Sequence, residues 1–145
     1  GGVVPDIPTL WKELGLGAQT EGDEENNIEL HAGWFEDTVP SFFNEHTTPI
    51  AFIHADADLC GSTLCFLEEI CRRRLLVKGS VILFDEFTNY ENWQEGEFLA
   101  WMTIVKKYGL EFQYLCFHAP SKREQNVGGY GYQSVGIEIT STGSM

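Results

Sequence analysis

Apolar positions in this chain fall into short unbroken runs, separated by stretches where they recur every three or four residues. The first sharp run is "IAFIHADA" from Ile50, four apolar residues that close on carboxylates. Its length and β-branched content predict a buried strand. "GSTLCFLEEICRRRLL" follows, with Leu64, Leu67, Ile70, Cys71, Arg74 and Leu75 at helical spacing and Ser62 or Thr63 as the expected cap. "VKGSVILFDEF" predicts a second buried strand, entered through Lys78 and Gly79. "NWQEGEFLAWMTIVKKYG" then places Phe98, Trp101, Met102 and Val105 on one helical face. Lys106, Lys107 and Gly109 close that helix, as charge and stop signals favour.

"LEFQYLCFHA" predicts a third strand, "PSKREQNVGGYG" a polar loop and "YQSVGIEIT" a last strand. Strand and helix alternate until the final pair, which is joined without a helix and reads as an antiparallel hairpin. The expected class is therefore α/β, with mostly parallel strands and a C-terminal antiparallel hairpin. Upstream the pattern is weaker. Asn27–Val39 reads as a strand with a turn at Gly33, and "DTVPSFFNEH" as a short helix before Pro49. Residues 1–27 read as an irregular acidic lead in which only "IPTLWKELG" can make a short helix.

A chain of 145 residues makes one domain with its own core, and 43% hydrophobic content marks it as globular. The expected division is a lead over 1–27 and a core over 28–140 within a single domain. No apolar run nears the length that spans a bilayer, so a soluble, cytoplasmic protein is expected. The net charge of −13 disfavours a phosphate backbone as partner, so neither nucleic acid nor membrane is expected. Ten of the acids fall in residues 1–45, where Lys12 is the only base. A divalent cation or a neutral or cationic small molecule suits that field better. Cys60, Cys65, Cys71 and Cys116 form no CxxC pair and read as buried free thiols.

Candidate chemistry sits where the strands end. In an open α/β sheet, ligands bind beyond the carboxyl ends of the strands. Asp56 and Asp58 follow the first buried strand, and Asp85 with Glu86 follow the second. Asp56 and Asp58 are two apart, so an extended backbone would send both to one side. Crowded carboxylates repel unless a hard cation such as Mg²⁺ shares them. The alternative is that Asp58 and the Asp85/Glu86 pair cap the helices that follow. His54 reads as a hydrogen-bonded core or edge residue, and His31, His46 and His118 have no zinc-site spacing. "GLGAQTEG" follows no strand and so is no phosphate loop, while "GGYGYQ" reads as a tight turn or a ligand-covering loop.

"GWFEDTVPSF", "IAFIHADADLCGST", "KGSVILFDEF", "NWQEGEFLAW" and "YGYQSVGIEI", in this order, resemble the macrocin-O-methyltransferase-like family of S-adenosylmethionine-dependent enzymes over about residues 28–140. The resemblance implies a Rossmann-like methyltransferase sheet and methylation of hydroxyls on sugars and other secondary metabolites. It implies Asp56, Asp85 and Glu86 as ligands of a divalent cation, with Mg²⁺ first, and Asp58 as the base. Cys60 stands where the family pattern often has tyrosine. The family's glycine-rich donor turn has no counterpart before residue 28, so the chain reads as a truncated form, with no S-adenosylmethionine site expected of it alone. On that reading "IAFIHADA" becomes a sheet edge, and self-association through it is expected unless "NIELHAGWF" pairs there. A non-catalytic ligand- or cation-binding module and an oligomeric structural domain stand as alternatives.

Overall fold

A computed structural model describes residues 29–117 and 133–143. Helix α1 spans Phe35–Glu45, strand β1 Ile50–Ala55, helix α2 Cys60–Arg72 and strand β2 Leu76–Phe84. A 3-10 turn at Trp93–Glu95 leads into helix α3, Glu97–Tyr108. Strands β3, Glu111–Phe117, and β4, Val135–Ser141, complete a sheet of order β1-β2-β4-β3. The lead segment, "GLGAQTEG", His118, "PSKREQNVGGYG" and most of "GGYGYQ" lie outside the described residues.

The architecture is α/β with a mixed sheet, which corrects the expectation of mostly parallel pairing. β1, β2 and β3 run in one direction, but β4 lies between β2 and β3 and is antiparallel to both. Among the described strands only β1 and β2 form a parallel pair of neighbours. The hairpin partner of β3 also occupies the free side of β2, and both its flanks become antiparallel.

The strand expected over Asn27–Val39 is absent from the described part of that segment; residues 29–34 are irregular and α1 begins at Phe35. Helical spacing wins because Val39, Phe42 and Phe43 reach the core from one face only in a helix. Thr38 Oγ1 donates back to the Trp34 carbonyl at 3.0 Å within the first turn. Among the described strands β1 lies at the edge of the sheet and is not fully buried. Phe52 is 57% exposed and His54 is exposed, while Ala55 is buried.

Two helix boundaries also differ from expectation. The N-cap of α2 is Leu59, without a side-chain cap, and Ser62 and Thr63 sit inside the first turn. At the other end Arg74 adopts the left-handed conformation, φ 61°. Its N–H reaches the Cys71 carbonyl and the Leu75 N–H reaches that of Ile70, a Schellman closure built on arginine rather than glycine. Gly109 ends α3 in the same way at φ 63°. The buried face of α3 is Glu97, Ala100, Trp101 and Ile104, and Met102 points partly to solvent.

Leu67, Ile82, Phe84, Trp101, Ile104, Ile137 and Ile139 are fully enclosed between helices and sheet. Trp101 meets Phe112 edge-on at 5.3 Å and tilts against Phe84 at 5.8 Å. All four cysteines are free thiols, but only Cys71 is buried and Cys116 is exposed. Burial, helped by Glu68, pushes the Cys71 thiol up to about 12, which leaves it inert. No helix among the described residues is long and apolar enough to cross a membrane.

Candidate acidic site at the ends of β1 and β2

The last paired residues of the parallel strands are Ala55 and Phe84. One step further, the Asp85 N–H donates to the Ala55 carbonyl at 2.9 Å, so the ladder ends with both chains in register. Asp56 and Asp85 are therefore the first residues beyond the sheet on neighbouring strands, with Asp58 and Glu86 close behind. Of the four, Asp56 and Asp58 are exposed, and Asp85 and Glu86 are half-buried.

Their electrostatics are shared. Partial burial raises the Glu86 carboxyl above its ordinary value, and the charges of Asp58, Asp85 and Asp56 raise it further. No ion pair among the described residues engages any of the four. Asp85 Oδ1 accepts a hydrogen bond from Ser134 Oγ at 3.2 Å, which ties the β2 end to the start of β4.

The local backbone is not the extended one that pattern alone suggests. Asp58 sits at φ 57°, so the chain turns after Ala55 and same-side projection of Asp56 and Asp58 does not carry past the strand. Neither helix is capped by these acids. Leu59 precedes α2 and Gly96 precedes α3, both without a side-chain cap bond. Among the described residues no three His, Cys, Asp or Glu side chains are grouped to hold a metal ion. The sheet thus delivers the four carboxylates to one end of two adjacent strands without closing them into a cage.

Glu97 belongs to the same site and was not singled out by pattern. It is the first residue of α3 and fully buried. Its Oε1 accepts from the Ala57 N–H at 3.3 Å and its Oε2 from the Glu86 N–H at 3.2 Å. Burial pushes its carboxyl up, the two backbone donors pull it down, and Asp56 and Asp85 push it up again. An acid one turn ahead of Ala100, Trp101 and Ile104 on the buried face of a helix was the available signal. The Tyr90 hydroxyl, close beside Gly96, is buried without a partner. Burial first, then Glu86, Glu97 and Asp58, raise its ionisation above the usual value.

Two clefts flank the acids. A groove of about 600 Å³ runs between β1, α1 and α2, with Phe35, Phe52, Phe66, His54 and Asp56 along its walls. A second cleft of about 430 Å³ is lined by Phe87, Trp93, Phe98, Tyr114 and Phe117. His31 and His46 stand apart from the site, both facing Glu29.

No protein-family model matches the chain, and no curated protein matches it. Among solved structures it is similar to apo CalS11, a TDP-rhamnose 3'-O-methyltransferase of calicheamicin biosynthesis. Identity is 28%, the TM-score 0.53, and the match covers 75% of this chain. It covers 40% of that enzyme, so the chain spans well under half the length of the protein it resembles. The likeness supports a methyltransferase-like fold for this chain.

Proposed function

We propose that this chain is the acceptor side of an S-adenosylmethionine-dependent O-methyltransferase, with Asp56, Asp58, Asp85 and Glu86 around the acceptor hydroxyl. The observation that carries the reading is the shared strand end: Ala55 pairs with Phe84, so both acid pairs leave the sheet side by side. The similarity to an O-methyltransferase supplies the reaction class.

The donor set is hard oxygen, the type Mg²⁺ prefers, and Mg²⁺ commonly takes one or two carboxylates and completes its shell with water. Asp56, Asp85 and Glu86 are the proposed ligands, and because the three are not grouped to hold a metal ion as they stand, one or two of them with water would have to suffice. When bound, such a cation supplies Lewis acidity that makes an acceptor hydroxyl easier to deprotonate. Asp58, exposed and at the turn, takes the hydroxyl proton. The acceptor oxygen then forms its bond to the donor methyl carbon as the carbon–sulfur bond breaks, and the sulfonium leaves as a neutral thioether. A hydroxylated, sugar-like acceptor fits this surface, where no described lysine or arginine engages the acids.

Among the described residues no strand leads through a glycine-rich turn into a helix, the arrangement that cradles a nucleotide-like donor. That observation favours a second reading, in which the chain binds a cation or small ligand without transferring a methyl group. Calorimetric titration with S-adenosylmethionine and then with Mg²⁺ separates the two. Donor binding supports the methyltransferase, and cation binding alone supports the module. Combined Asp56→Asn and Asp85→Asn should abolish cation binding; unchanged binding would remove this site.

A further inference from the structure

We propose that Glu97 is a positioning residue, a buried clamp whose carboxylate fixes the two acid-bearing loops relative to each other. The inference rests on the reading above for its purpose, and on the hydrogen-bond geometry alone for its mechanics.

The two amides that Glu97 holds are not arbitrary. Ala57 lies between Asp56 and Asp58, so its N–H anchors the backbone that carries both aspartates. Glu86 follows Asp85 directly, so its N–H anchors the other pair. One carboxylate therefore holds a backbone amide of each loop, reaching back 40 residues to the first and 11 to the second. Both oxygens are used, one for each loop, at 3.3 and 3.2 Å.

The placement at the first residue of α3 tolerates the negative charge, because unpaired N–H groups at a helix start favour an anion. The helix in turn is seated by Ala100, Trp101 and Ile104, all fully buried, so the clamp is mounted on the rigid core. Full burial also matters chemically. Water does not compete for the acceptors of a side chain with no exposure, whereas Ala57 and Glu86 are half-buried, so an amide that Glu97 releases opens to solvent.

Glutamine is the informative replacement. It keeps the shape of glutamate but offers one acceptor and one donor where two acceptors are needed. One of the two amides must then face an NH₂ group, and that loop lets go.

The test compares the unaltered chain with Glu97→Gln and Glu97→Asp by amide hydrogen exchange, and by Mn²⁺ titration with the metal alone. In Glu97→Gln, exchange at Ala57 or Glu86 should accelerate at least about tenfold while the amides of Ile82 and Ile137 in the core keep their protection. Mn²⁺ affinity should fall between about tenfold and a hundredfold, as it does when the partner of a metal ligand is lost. Glu97→Asp keeps two acceptors on a shorter arm and should recover part of that affinity. Unchanged exchange at both amides overturns the clamp. Faster exchange with unchanged Mn²⁺ affinity overturns its positioning role, and so does a loss of protection spread evenly through the core. If the unaltered chain binds no Mn²⁺, the cation reading falls, and the clamp is decided by the exchange result.

Discussion

The Ser80 hydroxyl donates to the Ile50 carbonyl at 2.6 Å across the first rung of the parallel pair. It also accepts from the Val77 N–H at 3.0 Å. The register explains why a side chain is needed there. Ile50 pairs with Leu76 but Phe52 pairs with Val81, so β2 bulges outward between the two rungs, with Gly79 at φ 92°. Ser80 replaces the ladder bonds that the bulge removes, and it is 1% exposed. Ser80→Ala takes this partner from the half-buried Ile50 carbonyl and from the N–H of the exposed Val77, which costs about 1 kcal/mol. Urea unfolding should show a lower midpoint at an unchanged slope.

Glu69 supplies the pH dependence that can be tested most directly. Arg72 Nη2 lies 2.7 Å and Arg73 Nε 2.6 Å from Glu69 Oε1, and Arg73 Nη1 continues to the Phe43 carbonyl at 2.6 Å. The hydrogen bond from Arg72 is the main cause that holds the Glu69 carboxyl below its ordinary value, with Arg73 adding to it against a partial burial penalty. A carboxyl depressed in the folded state contributes stability above the unfolded value of about 4.3, and loses it as pH falls toward the lower folded value. Glu69→Gln should therefore be less stable than the unaltered chain at pH 7 by about 1 kcal/mol or less, the range of partly exposed pairs. The difference should vanish in strong acid, and a pH series of thermal unfolding checks it.

Which parts of this were legible in the sequence follows from how local each signal is. Gly109 announced the end of α3 because glycine adopts the left-handed conformation without a Cβ penalty. Arg74 performs the same task for α2, and arginine carries no such signature. The run "IAFIHADA" showed a strand but not its rank in the sheet, because edge and centre differ in what lies beside them and not in their own residues. The four acids were visible as strand ends, and β1 and β2 as neighbours bring those ends side by side, but the turn at Asp58 that breaks same-side projection was not visible. Glu97 was hidden because its partners are backbone amides, which every sequence contains.

Asp58 separates stability from function. It holds φ 57°, a conformation that aspartate tolerates and most residues resist at a cost of about 1–2 kcal/mol. Its charge also bears on Glu86. Asp58→Asn keeps the left-handed tendency and removes one of the repelling charges, so the fold should be as stable as before, or slightly more so, at neutral pH. Asp58→Ala removes the same charge but lacks the left-handed tendency, and should lose stability relative to Asp58→Asn. Thermal unfolding of the two variants side by side checks the ranking, and a loss of stability in Asp58→Asn that matches Asp58→Ala would show that the backbone conformation is not what matters there.

Phe52 tests the expectation of self-association. β1 has β2 on one side and no described strand on the other, so the N–H and C=O groups of its outer side face away from the sheet. Phe52, in the middle of that strand, is 57% exposed and stands on the wall of the groove beside α1. Antiparallel pairing of two β1 edges about a two-fold axis would bring the Phe52 rings near each other. It would also carry the Asp56 ends to opposite corners, so the acids would not oppose the contact. Phe52→Lys places a charge on the strand, the common natural means of blunting an edge. The unaltered chain should sediment as a concentration-dependent mixture of monomer and larger species, and Phe52→Lys as monomer with unchanged far-ultraviolet dichroism. A single monomeric boundary for both chains at every concentration would remove β1 as an interface and leave the groove to a smaller ligand.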